Sequence, residues 1–144
     1  MQVLNMRRLV CCIVLSLLAL SVQAGRGGEG ADEKVRPIIV FERTSHDFGD
    51  VPRKGGDLTK EFRFSNKGDA PLVIKKITKS CSCISVSYSR KPVLPGEKSV
   101  IKVKYEPHKV EAGIFHKVIQ IYTNYSKDAS LITIQGNSVD ADMM

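Results

Sequence analysis

Cys81 and Cys83 are the residues of this chain with the clearest chemical content. Two thiols separated only by Ser82 can close a disulfide, hold a soft cation, or pack unpaired as small apolar groups near a turn. On a regular strand both side chains point to one face, with Cα atoms about 6.6 Å apart, near the upper limit for a disulfide. Bonding them therefore requires a bend at Ser82. An oxidising compartment favours the disulfide, as a local clamp and a redox candidate. A Cu(I) or Zn site built on Cys81 and Cys83 is the alternative, but it needs further ligands that no neighbouring His or Cys supplies. If Ile84, Val86 and Tyr88 enter the core, alternation puts the thiols opposite it, toward solvent or a loop.

His46-Asp47-Phe48-Gly49 is the second constellation. Neighbouring residues on a strand point to opposite faces, so His46 and Asp47 are badly placed for an acid–base dyad. The sequence instead predicts Phe48 in the core, Gly49 in a turn and the polar pair satisfying backbone groups. His108 and His116 have no partner nearby in sequence. There is no Ser-His-Asp set, phosphate-binding Gly loop or spaced carboxylate pair. The expectation is a protein without catalytic residues and without a cofactor.

The compartment comes from residues 1–24. Arg7 and Arg8 precede an apolar run, Leu9 to Leu20, and Val22-Gln23-Ala24 supplies a cleavage boundary. This is the secretory pattern, and the run is short for a bilayer span. Cys11 and Cys12 lie inside the run, which disfavours a lipid anchor. Export to the periplasm or beyond is expected, with no integral span in the mature chain. Removing this segment takes away two arginines and no acid, so the formal charge falls from +7 to +5, and two cysteines remain. A modest positive charge points to anionic surfaces only weakly, since the lysines are spread along the chain. A basic stripe with interleaved aromatics, the mark of nucleic-acid binding, is missing.

These residues must be positioned by strands. Residues 25–36 are glycine-rich and polar and read as a flexible linker, and 138–144 as a disordered tail. Between them lie extended or alternating runs: Ile38 to Phe41, Glu61 to Ser65, Leu72 to Ile77, Ile84 to Tyr88, Ile101 to Tyr105, Ile114 to Tyr122 and Ile132 to Gln135. Asn66-Lys67-Gly68-Asp69 reads as a turn that exploits positive φ, and Pro95-Gly96 as a type II turn. In Val100 to Tyr105 the lysines should face outward and discourage edge pairing. Short strands with regular turns predict an immunoglobulin-like antiparallel β-sandwich of about seven strands over residues 37–137.

The motifs His46-Asp47-Phe48-Gly49, Phe64-Ser65-Asn66-Lys67-Gly68, Pro71-Leu72, Cys81-Ser82-Cys83, Pro95-Gly96, Gly113, Asn124 and Gly136 together resemble one exported bacterial family. It is the domain of unknown function fifteen-seventy-three, common in Bacteroidetes. The resemblance covers about residues 40–137 and implies a sandwich similar to major-sperm-protein and PapD-like modules. Family members usually carry Cys-Gly-Cys followed by Thr, where this chain has Ser82 and Ile84. A bacterial origin makes the sequon Asn124-Tyr125-Ser126 turn chemistry. The leading functional expectation is a non-enzymatic exported binding or assembly module, monomeric or weakly oligomeric, with an envelope protein or glycan as partner. A metal-binding or thiol-redox protein acting through Cys81 and Cys83 is the alternative. A pilus-type chaperone is a third, weaker for want of a second domain.

Overall fold

The computed structural model describes residues 35–140 and residue 142. The expected signal segment 1–24 and most of the linker lie outside the described residues. Eight strands make two four-stranded sheets. They are β1 (Ile39–Phe41), β2 (Ser45–Pro52), β3 (Leu58–Asn66), β4 (Ile74–Lys79), β5 (Ile84–Tyr88), β6 (Lys98–Tyr105), β7 (Gly113–Thr123) and β8 (Ser130–Val139). The first sheet runs β1-β3-β6-β5 and the second β2-β8-β7-β4.

Alternation builds the core. Phe62 and Phe64 of β3, Ile101, Val103 and Tyr105 of β6, Ile119 and Ile121 of β7, and Ile132 and Ile134 of β8 are all buried. Each such side chain contributes about 1.5–3 kcal/mol by leaving water. The opposite faces stay polar: Lys102 pairs with Glu61 at 3.4 Å and Lys104 with Asp57 at 3.2 Å. The lysines of β6 do face outward. They do not guard an edge, because β6 lies between β3 and β5, and they pair instead with acids on and beside β3.

The strand not expected is β2, whose sequence SHDFGDVP lacks an apolar alternation. It forms because the chain leaves the first sheet after Phe41 and continues along the edge of the second, pairing parallel with β8. That parallel pair departs from a purely antiparallel sandwich. Gly49 makes a bulge between Asp47 and Asp50 rather than a turn, with φ of +68°.

The two boundary expectations need adjustment. The Arg36 carbonyl accepts a hydrogen bond from the Asp69 N–H at 2.9 Å, so tertiary structure begins inside the expected linker. At the other end β8 runs through Val139, and Ser138 is buried where it pairs with Val51 and Gly113, so this part of the expected tail is strand.

One pole is closed by Asn66, fully buried. Its Oδ1 accepts from the Ile38 N–H at 3.2 Å and the Gly68 N–H at 3.0 Å. Its Nδ2 donates to the carbonyls of Ala70 at 2.7 Å and Val93 at 2.9 Å. One amide thus ties the entry to β1 to the segment that follows β5. Neither Asn66 nor Gly68 uses positive φ. Gly68 is needed for a different reason: a Cβ there would lie 2.0 Å from the Arg36 carbonyl oxygen. The Pro95-Gly96 turn is as expected, with Gly96 at φ +81° and Glu97 N–H donating to Leu94 O at 2.9 Å.

Candidate functional site

Cys81 and Cys83 sit where the chain crosses from β4 in the second sheet to β5 in the first. They are disulfide-bonded, with Cα atoms 5.2 Å apart. The segment is a turn and not strand: Ser82 and Cys83 bend, and the Ile84 N–H reaches back to the Cys81 carbonyl. Alternation therefore does not carry into it. Instead of both thiols facing away from the core, Cys83 is fully buried within it and Cys81 is half-buried against it. The ammonium of Lys79 donates to the Ile84 carbonyl and braces the crossing.

This burial limits the chemistry. An attacking thiolate can reach Cys81, and the departing sulfur would be Cys83, enclosed by apolar side chains. Burial disfavours a thiolate, so Cys83 is a poor leaving group. No group of three or more His, Cys, Asp or Glu side chains is arranged to hold a metal among the described residues.

His46 and Asp47 are also separated in role. The His46 ring packs edge-on against Phe48 at 4.6 Å between centroids. Burial, followed by repulsion from Lys60, pushes its pKa below the ordinary value. Asp47 accepts from Gln135 Nε2 at 3.0 Å and from the Gly49 N–H at 2.8 Å. Those bonds, the Gln135 amide first, hold its carboxyl below the usual range. Asp50 accepts from Asn137 Nδ2 at 2.9 Å. These contacts fasten β2 to β8. Phe48 is half-buried against the core, not inside it. His116 lines the same surface depression as Asp47 and Gly136, whereas His108 lies 3.8 Å from Asp57 on a different face. Asn124 clamps the far end of β7: its Oδ1 accepts from the Val73 N–H and its Nδ2 donates to the Pro71 carbonyl, both at 3.0 Å.

Sequence reasoning did not single out the edge formed by β1. Ile38 accepts from Lys67 N–H and Glu42 N–H donates to Arg63 O, so residues 38, 40 and 42 bond inward to β3. Alternation in an antiparallel ladder then turns the N–H and C=O of Ile39 and Phe41 outward, to the open edge. Ile38 and Val40 are exposed, 39% and 42%. A groove of about 370 Å³ adjoins this edge, lined by Ile38, Ile39, Tyr125 and Arg36 among others, with the Arg36 guanidinium 5.9 Å from the Tyr125 ring centre. A strand with one open edge, exposed aliphatic side chains and a neighbouring groove are the components of strand addition.

A family model described as "Protein of unknown function (DUF1573)" matches residues 39–138, and the chain belongs to that family. No curated protein matches it in sequence. Among solved structures it is similar to a protein of unknown function from Porphyromonas gingivalis W83, with TM-score 0.62 and 17% identity over 70% of this chain. This chain spans 46% of that protein's length. It is also similar to the ASH / PapD-like domain 7 of human CEP192, with TM-score 0.57 and 10% identity over 72% of this chain and 86% of that one. A third similarity, to the Vibrio cholerae VesB protease, has TM-score 0.53 and 15% identity over 71% of this chain and 31% of the protease. At these identities the likeness is one of fold, an immunoglobulin-like, PapD-like sandwich.

Proposed function

We propose that this member of the family is an exported, non-enzymatic module that binds an envelope protein by accepting an extended strand of it along β1. The observation that carries the reading is the open β1 edge, with the backbone of Ile39 and Phe41 directed outward beside exposed Ile38 and Val40. An added strand would satisfy those groups and lay alternate apolar side chains beside Ile38, Val40 and the Arg36–Tyr125 groove. Three residues make a short edge, and Pro37 and the charged pair Glu42-Arg43 border it, which discourages pairing between copies. The proposed free state is therefore a monomer, which sedimentation at micromolar concentration tests.

Export rests on residues 1–24 and agrees with the Cys81–Cys83 bond. No helix among the described residues is long and apolar enough to cross a membrane. The test is affinity capture from the native envelope with wild type and with Ile38→Lys/Val40→Lys. Both positions point outward, so the variant keeps the fold. A protein partner captured by wild type and lost from the variant supports the reading. Equal capture by both removes it.

A further inference from the structure

The opposite side of the sandwich has a different character. Between Asp69 and Glu97 the chain contains no acidic residue and five basic ones, Lys75, Lys76, Lys79, Arg90 and Lys91. In the fold this segment becomes one continuous side. It comprises edge strand β4 of the second sheet, the disulfide crossing, edge strand β5 of the first, and the loop after it. The side is closed at its other end by the bridge between Leu72 and Val93, whose backbones exchange hydrogen bonds at 2.9 and 2.8 Å.

All five cations are exposed. Among the described residues none of them forms an ion pair, whereas Lys98, Lys102, Lys104 and Lys109 are paired with acids. Arg36, Arg43, Lys54, Lys60, Arg63, Lys67, Lys117 and Lys127 are likewise outside any ion pair among the described residues, so what sets this side apart is its run of chain without an acid. Glu97, which ends the segment, is turned onto the Leu94 N–H at 3.0 Å.

We infer that the β4–β5 side is a binding surface for an acidic polysaccharide chain. Cations on β4 and in the loop that follows β5 give a linear polyanion several simultaneous charge contacts. Exposed Ser80, Ser82, Ser87 and Ser89 add hydroxyl groups matched to sugar hydroxyls and carboxylates. A lipid surface is disfavoured because Leu94, in the loop after β5, is the segment's single exposed large hydrophobic side chain, and β4 and β5 expose none to insert beside it. Single-stranded nucleic acid is disfavoured because Tyr88 is the segment's single aromatic residue and is half-buried. The inference goes beyond the strand-binding reading, since it concerns the side away from β1.

The test is binding of the full mature chain to immobilised polyguluronate, with neutral dextran, phosphatidylglycerol vesicles and single-stranded DNA alongside. The quadruple charge reversal K75E/K76E/R90E/K91E is compared with the K98E/K102E/K104E reversal on the paired face. Wild type should hold polyguluronate and not dextran. The quadruple variant should bind at least about tenfold more weakly and the control variant within about twofold of wild type. Where a charge-reversed chain fails to melt cooperatively, the corresponding Gln variants replace it. Equal losses in both variants, no preference over dextran, or tighter binding to vesicles or DNA would each overturn the proposal. Ile38→Lys/Val40→Lys should leave polyguluronate binding unchanged, so failure of this surface and failure of the strand site are told apart.

Discussion

The two sides of the sandwich solve the problem of exposed sheet edges in opposite ways. On the β4–β5 side both edges are guarded. Lys75, Lys76 and Lys79 stand along β4, Lys79 takes the outward Ile84 carbonyl of β5, and a disulfide fixes the crossing between them. On the β1–β2 side the chain changes sheets by a simple run-on from Phe41 to Ser45. There β2 is locked by the Asp47–Gln135 and Asp50–Asn137 bonds, while β1 is left short and open. On the proposed reading, the β1 edge beside exposed Ile38 and Val40 is the surface that takes another strand. Asn66 joins the two sides, since it bonds both Ile38 and Val93.

The largest expected effect comes from removing that link. Asn66→Ala removes four hydrogen bonds, the Gly68 and Val93 ones buried and the Ile38 and Ala70 ones part-buried, and should cost on the order of 3 kcal/mol in urea unfolding. Both sides should loosen together in hydrogen exchange. A loss under about 1 kcal/mol would show that the amide is not the tie.

Gly68→Ala should separate the sides. Its Cβ meets the backbone of Arg36, Pro37 and Ile38, which must move away, at an expected cost of about 2 kcal/mol. The amides that β1 and β3 share should lose protection while those of β4, β5 and the crossing keep theirs. Uniform loss across all strands would contradict independent sides.

The converse variant is Cys81→Ala/Cys83→Ala, which opens a three-residue loop and leaves a small cavity at Cys83. It should cost about 1–2 kcal/mol. The exchange should rise near Ser80 to Ile84 and not at β1. If dithiothreitol matches the variant's effect, the bond is the cause, and if it leaves the wild-type melt unchanged, the bond contributes little.

How much of this was legible in the sequence follows from what each residue depends on. The strands of the core could be read because Phe62, Phe64, Ile101, Val103 and Ile132 repeat with a period of two, which is a local property. Segment β2 could not, because it is held by Gln135 and Asn137 across about 88 residues of chain. The facing of Cys83 was missed because strand alternation was carried into a turn. Asn66 looked like ordinary turn chemistry, since its four partners come from three separate segments. The paired face was hidden for a similar reason: Glu61 and Asp57 are distant in sequence from Lys102 and Lys104, which they neutralise.

The smallest expected effect is one of pH and falls on the β2 edge. His46 is held below its ordinary value of 6.5, so its neutral form stabilises the fold above that value and protonation withdraws this as pH falls through the lower folded value. Asp47 is depressed from 3.8, so its contribution is present above that value and is lost at still lower pH. Amides around Asp47 to Val51 should therefore open first below about pH 6, ahead of the β4–β5 crossing. If both sides open at one pH, these two groups do not govern the edge.

The most direct test of the proposed strand site is a photo-crosslinker placed at Val40 on β1 and, separately, at Ser87 on β5, in the full chain expressed in its native cell. Both positions are exposed on strands at the edges of the same sheet. An open edge kept for a partner strand predicts a discrete protein adduct from Val40 and none from Ser87. Protein adducts of the same size from both positions, or from Ser87 alone, would contradict it.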